Sequence, residues 1–287
     1  MNSPQNQDDS QTSNSVSAVV CSWNAADSIV ACLKSLRENG VYEIILVDAD
    51  SEDGTQELAK PYVDCILQDQ RQGLGAARNL GIEVASGRFI LNCGCDNIMP
   101  PGSVRSMLDY MSETAVNGVS AVTHLQPEGY LSRSLNEYKK TRFFPGVRNY
   151  IGTPSLFPAA KLKSHPFDPT CSWSDDSELC DRWRVVYNAK FAISDSVIYE
   201  SNPSSLSEIS ARWKNYGRSD FEIYTKNGPD WSIGRKIQSL LYPFREELIK
   251  PFIKIKGLQR FTTLPFLIYI TSSRYIGWAK CALRSSR

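Results

Sequence analysis

Asp48 and Asp50 follow the apolar run IILV directly, in DADSEDGT. Carboxylates just past a buried strand can accept hydrogen bonds from a nucleobase N–H or a ribose hydroxyl. The same Asp, Ser and Gly residues also make an ordinary turn. Asp96 closes a second apolar run, in FILNCGCDN. One acid there can share a Mg²⁺ or Mn²⁺ with substrate phosphates, or begin the turn before Pro100-Pro101-Gly102. Asp175, Asp176 and Glu178 crowd SWSDDSELCDRW. A carboxylate in that group can deprotonate an acceptor hydroxyl, while acids at a helix start also favour the helix dipole. Arg78, in GLGAARN, is a cation placed to meet phosphates or to face solvent from a helix.

The elements that must carry these residues alternate along the first half. VSAVVCSW (16–23), EIILVDA (43–49), CILQD (65–69), RFILNCG (88–94) and VSAVTHL (119–125) are short, β-branched apolar runs, the pattern of buried strands. Helical stretches lie between them. Asp27 is placed to cap the first, running to Glu38, and Ser51 to cap the second. Gly75–Ala85 and Ser103–Met111 continue the series. A βαβαβαβαβ order predicts a mainly parallel sheet flanked by helices, with ligands bound beyond the carboxyl ends of its strands. The second half is less regular: helix over Tyr130–Lys140, Gly/Pro-rich loop over Phe143–Phe157, helix over Asp176–Val186 and strand over 190–200.

The chain has 287 residues, room for one large α/β domain or a domain with an extension. Its net charge of +1 argues against a general nucleic-acid binder. That total is unevenly spread. Ser232–Arg287 carries eleven Lys/Arg and two acids, a charge of +9. From chain totals of 32 bases and 31 acids, the rest keeps 21 and 29, a charge of −8. Eight cysteines sit mostly in apolar runs and read as reduced, buried side chains. A zinc site is disfavoured, because His124 and His165 are the only histidines. Residues 1–15 are polar, with no apolar segment of a signal peptide, and read as a disordered tail on a cytoplasmic protein.

SAVVCSWNAADSIVACLKSL, EIILVDADSEDGT, QGLGAARNLGIEVASGRFILN and CDNIMPPG occur in this order and spacing. Together they resemble the inverting family-2 glycosyltransferases of the GT-A fold. There the first strand usually ends in Tyr-Asn-Glu, the second in Val-Asp-Asp-Gly-Ser-x-Asp-Gly-Thr and the fourth in Asp-x-Asp. IGTPSLFP, HPFDP and SDDSELCDRW look like the acceptor-side segment of that family, so the resemblance covers residues 16–220. It implies a nucleotide-diphosphate sugar as donor and a divalent metal, Mg²⁺ or Mn²⁺. By position it places Trp23, Asn24, Asp48, Asp50, Arg78, Asn79 and Cys95 around the donor. Asp48 falls on the nucleobase, and Asp50 stands where the family often has Gly. Asp96 becomes a metal ligand and Asp176, with Asp175 beside it, the general base. Three positions depart from the pattern: Ala25 replaces the Glu after Tyr-Asn, Gly94 replaces the first acid of Asp-x-Asp, and Glu200 stands where relatives have His. Glu200 is then a second candidate metal ligand.

The division that follows is a tail over 1–15, a glycosyltransferase domain over 16–231 and an extension over 232–287. The domain splits into a nucleotide-sugar half, 16–125, and an acceptor half, 126–231. The acceptor is a glycan or a lipid-linked glycan, as in the synthesis of a cell-surface polysaccharide or glycolipid. The extension mixes bases with aromatics and aliphatics, but its uninterrupted apolar run LPFLIYI is far short of the ~20 residues a spanning helix needs. A basic amphipathic segment can lie on an anionic membrane, here the inner face. The alternatives are packing on the domain or a homo-oligomer seam. Two other classes compete: a catalytically weakened binding protein on the same scaffold, and a nucleotidyltransferase. The latter usually carries a Gly-rich, Arg/Lys-containing loop after the first strand, which CSWNAADS lacks.

Overall fold

A computed structural model describes residues 15–126, 128–170, 175–201 and 205–285. The tail expected over 1–15 lies outside them but for Ser15. Two compact units emerge, one of residues up to His124 with Phe144–Ser201, the other of Leu125–Phe143 with Asn202 onward.

The first unit carries the sheet. In chain order it holds β1 (Val16–Ser22), α1 (Ile29–Glu38), β2 (Glu43–Asp48), α2 (Thr55–Ala59), β3 (Cys65–Gln68), α3 (Leu74–Val84), β4 (Phe89–Gly94), β5 (Asn97–Ile98), α4 (Ser103–Thr114) and β6 (Gly118–Leu125, whose last residue falls in the other unit). After α5 (Tyr130–Arg142) come β7 (Gly146–Arg148), β8 (Ser155–Pro158), α6 (Ala159–Ser164), α7 (Asp175–Tyr187) and β9 (Phe191–Glu200). The strand order is β3-β2-β1-β4-β8-β6-β9-β5, with β7 on β9. β3, β2, β1 and β4 pair in parallel, whereas β8 enters antiparallel between β4 and β6. The α/β expectation therefore holds. β7 and β8 fall where a Gly/Pro-rich loop is expected, because strands of three or four residues leave too little alternation to read.

Both faces of the sheet are covered. Ala18, Val20, Leu46 and Leu91 pack with Ile29, Leu33 and Leu36 of α1 and Met107 and Met111 of α4. Val19, Ile45, Val47 and Ile90 pack with Ala77 and Ile82 of α3 and Leu179 and Trp183 of α7. Burial on both sides is why the strands read as unbroken apolar runs. Predicted helix starts move slightly. Ser28 rather than Asp27 precedes α1, and Gly54 rather than Ser51 precedes α2.

The second unit is helical: α5, α8 (Leu206–Asn227), α9 (Ile233–Leu240), a π-helical turn (Phe244–Ile249), α10 (Lys250–Lys254) and α11 (Gln259–Ser285). Its core joins Leu135 and Tyr138 to Ile209, Trp213, Phe266, Leu267 and Ile270. α8 and α11 meet backbone to backbone. A Cβ on Gly217 would collide with the Arg274 carbonyl, and one on Gly277 with that of Lys214. At the centre, buried Glu247 accepts from Arg142 at 2.9 Å, Trp213 at 3.3 Å, Tyr138 and Arg274. Arg274 in turn grips Asp220 at 2.6 and 2.8 Å. Two cations thus meet two carboxylates, the condition for burying charge without large cost. These contacts join α5 and α8 to the C-terminal helices, so the compact units differ from the expected segments 16–231 and 232–287. No helix among the described residues is long and apolar enough to cross a membrane.

Candidate active site

Three loops leave the carboxyl ends of β1, β2 and β3, and their polar groups hold one another. The Trp23–Ala26 loop after β1 is stitched to the Ser51–Thr55 loop after β2. The Asn24 amide donates to Ser51 Oγ at 2.8 Å, and the Glu52 amide to Asn24 Oδ1 at 3.0 Å. The Ala25 amide donates to Thr55 Oγ1 at 2.8 Å, and the Ala26 amide to Asp53 Oδ2 at 2.9 Å. Asn24 takes φ +48 to make this turn, a left-handed conformation that Asn tolerates better than most residues. Trp23 is left 62% exposed at the mouth of the sheet, an aromatic face with no core to fill.

Asp48 has a different setting from the one expected. Its side chain is 0% exposed. Oδ2 accepts from the Ser22 hydroxyl at 2.6 Å and the Ser51 hydroxyl at 2.7 Å. Oδ1 accepts from the Ser51 amide at 2.8 Å and Gln56 Nε2 at 2.7 Å. Burial alone would raise its pKa, but these donors hold the carboxyl below the usual carboxylate range. Both oxygens accept hydrogen bonds from the protein, so Asp48 holds the β2 loop together. Asp50 is one of the exposed acids of this loop, with Glu52 and Asp53. It is exposed, at φ +60, with one oxygen receiving Gln68 Nε2 at 3.0 Å. Arg71 from the β3 loop ties down the carbonyls of Ala49 and Asp50 at 3.2 and 3.1 Å.

Arg78 also departs from expectation. The guanidinium is buried at the start of α3, beneath α7, and is not held out to a phosphate. Nη1 donates to Asp175 Oδ2 and Asp176 Oδ1, both at 2.6 Å, and Nη2 to Thr153 Oγ1 at 2.5 Å. Phe167 lies under it, 5.0 Å from ring centre to guanidinium carbon. Asn79 is a structural clamp: its amide donates to the Phe167 carbonyl at 2.8 Å and accepts from the Phe167 amide at 3.0 Å. Two carboxylates thus share one cation. Asp175 is buried, and burial pushes its carboxyl up to about 6 despite Arg78, with Asp176 adding to the rise. Asp176 is the half-exposed member, with Oδ2 turned toward Gly152 in the IGTP segment. Cys21, next to last in β1, feels the charges of Arg78 and Asp175.

Beyond β4, Asp96 folds back over Gly94. A Cβ at Gly94 would lie 3.0 Å from Asp96 Oδ1 and 3.1 Å from Asn97 Oδ1. The missing first acid of the motif is therefore space that its neighbours occupy. The register Asn97↔Glu200 lays the residue after Asp96 opposite Glu200 on the β5–β9 ladder. Among the described residues no group of three or more His, Cys, Asp or Glu is arranged to hold a metal. Mg²⁺ takes one or two carboxylates completed by substrate phosphates; Glu200 stands opposite Asn97, and Asp96 and Glu200 are candidates by motif position alone. Cys95 beside them is no anionic ligand: burial pushes its thiol up to about 12, and Asp96 adds to the rise.

Ser22, Ser51, Asp53, Gln56 and Thr153 are the site residues that the sequence patterns did not single out. Ser51 and Asp53 sit within DADSEDGT and Thr153 within IGTP, so motif membership was the available signal.

Residues 17–171 match the model described as Glycosyl transferase family 2. The succinoglycan biosynthesis protein ExoO of Rhizobium meliloti (strain 1021) is 34% identical over 131 residues, 44% of this chain and 37% of that protein. The uncharacterized glycosyltransferase EpsJ of Bacillus subtilis (strain 168) is 26% identical over 220 residues, 68% of this chain and 63% of that protein. The chain thus spans less than two thirds of the length of either relative. Among solved structures, S. aureus TarS 1-349 in complex with UDP-GlcNAc aligns with a TM-score of 0.54 at 15% identity, over 95% of this chain and 92% of that one. At that identity the likeness speaks for the fold alone.

Proposed function

The chain belongs to glycosyltransferase family 2, and we propose that it moves a sugar from a nucleotide-diphosphate donor to an acceptor hydroxyl with inversion at the anomeric carbon. The observation that carries this reading is the half-exposed Asp176 carboxylate, held by Arg78, whose charge reaches Cys21 in β1. Beyond the carboxyl ends of β1 and β2, Trp23 and Asp50 stand open to a nucleotide.

Trp23 stacks on the base, and Asn24 and Asp50 line the same mouth, while Asp48 keeps the loop in shape from beneath. The acceptor hydroxyl docks against Asp176. As its oxygen attacks the anomeric carbon, the proton passes to a carboxylate oxygen of Asp176. The bond from the anomeric carbon to the diphosphate oxygen breaks on the opposite face, and the nucleoside diphosphate leaves with the electron pair. Arg78, shared with Asp175, fixes the position of the base. Asp96 and Glu200 would hold a Mg²⁺ or Mn²⁺, which would supply positive charge to the leaving diphosphate.

The acceptor is a glycan or lipid-linked glycan of a surface polysaccharide or glycolipid pathway, and 232–287 brings the enzyme to the inner face of the membrane. A second reading, a protein that binds nucleotide sugars without transferring them, draws on Gly94 in place of an acid. A thermal-shift screen against nucleotide sugars, with and without Mn²⁺, followed by assay of hydrolysis or transfer with the stabilising donor, separates the two. A donor that stabilises the protein and is turned over supports the enzyme. Stabilisation without turnover supports the binder, and no stabilisation by any nucleotide sugar overturns both.

A further inference from the structure

α9 is an amphipathic helix whose apolar side is left largely exposed among the described residues. Ser232 Oγ caps it by accepting from the Arg235 amide at 3.3 Å, and Tyr275 anchors its far end by donating to the Leu240 carbonyl at 2.8 Å. Ile233, Ile237, Leu240, Leu241 and Phe244 recur at helical spacing. At 3.6 residues per turn the first four fall within an arc of about 100°. None is buried: they are 78%, 51%, 39%, 53% and 45% exposed. Arg235, Lys236 and Arg245 lie beside this stripe in the chain, within a segment of net charge +9.

Isolated apolar residues on a surface need no explanation, but three on α9 followed directly by Leu241 and Phe244 do. Two occupants fit such a stripe, a second copy of the chain or a lipid surface. A two-fold contact would set each basic segment against its own copy, charge against like charge. An anionic bilayer instead meets the bases with lipid phosphates and receives the apolar stripe between them. α9 has 8 residues, too few to span, so the geometry is that of a helix lying in the plane of the interface.

We infer that the Ile233–Phe244 stripe is a docking face for anionic lipid, with Ile237 and Leu241 at its centre. This rests on the membrane-side acceptor proposed above and assigns the contact to one face. The test is co-sedimentation of the full chain with vesicles of phosphatidylcholine alone and of phosphatidylcholine with phosphatidylglycerol. The expected result is binding only to the phosphatidylglycerol vesicles, weakened by salt. The I237E/L241E double variant should lose at least ~10-fold in partitioning, since each buried methylene contributes substantially to insertion. Both positions are exposed, so the variant should melt as the wild type does and keep its nucleotide-sugar thermal shift. The inference is overturned if the wild type ignores anionic vesicles or if I237E/L241E binds them equally well. A concentration-dependent dimer that I237E/L241E dissociates would equally overturn it, in favour of a second copy. Loss of the nucleotide-sugar shift with vesicle binding intact would instead count against the catalytic reading alone.

Discussion

Arg78 and Asp176, 98 residues apart, meet through a 2.6 Å bond from Nη1 to Oδ1, and the same nitrogen serves Asp175 at the same distance. A base that must take a proton from a sugar hydroxyl needs to be ionised and aimed. Arg78 aims it, and Asp175 shares the same guanidinium nitrogen.

That sharing predicts a pH dependence. Asp175 titrates near 6, above its ordinary value of 3.8. A raised carboxyl contributes stability that is complete below the ordinary value and lost as pH rises through about 6. For transfer, protonating Asp175 below about 6 leaves Arg78 to Asp176 alone, so the guanidinium competes more strongly with the acceptor hydroxyl for that carboxylate. The acid limb of kcat/KM should therefore show an apparent pKa near 6 in the wild type. In Asp175→Asn, where the neighbour is neutral at every pH, that inflection should disappear and the plateau should fall. An unchanged acid limb in Asp175→Asn would refute the coupling.

Asp48 separates a structural acid from a binding acid. Replacing it by Ala strands the hydroxyls of Ser22 and Ser51 and the Gln56 amide, at a cost of about 3 kcal/mol or more in urea denaturation. Asp48→Asn, which keeps part of the network, should lower stability without changing which base the donor carries. Altered base selectivity at wild-type stability would return Asp48 to the nucleobase.

β1, β2 and β4 were legible because both their faces are buried, and such strands advertise themselves as apolar runs. Asp176 and Trp23 were singled out by motif position. The settings of Asp48 and Arg78 were not legible. Asp48's partners include Ser22 and Gln56 from other elements, and Arg78's lie 75 to 98 residues away. A buried pair and an exposed ligand look alike until those distances close. The extent of the helical unit was hidden for the same reason. Nothing local in α5 or α8 announces that their partners are Glu247 and Gly277.

Gly94 offers a test by restoration. Gly94→Asp rebuilds the acid that the family usually supplies, but its Cβ would meet Asp96 Oδ1 at 3.0 Å and Asn97 Oδ1 at 3.1 Å. Asn97 is buried and accepts from the Gly94 amide at 2.9 Å, so it gives way poorly. The substitution should cost about 1–2 kcal/mol and leave donor affinity no better, with Gly94→Ala sharing the stability loss. Tighter donor binding at an unchanged melting temperature would contradict the packing argument.

The central claim is that Asp176 takes the acceptor proton, and transfer by Asp176→Asn under saturating donor measures it most directly. Asn keeps the shape and a bond to Arg78 but cannot hold the proton. The account predicts a fall in kcat of about 10²–10⁴-fold, with donor affinity by calorimetry within about twofold of the wild type. Near-normal transfer by Asp176→Asn, with donor bound as before, would contradict it.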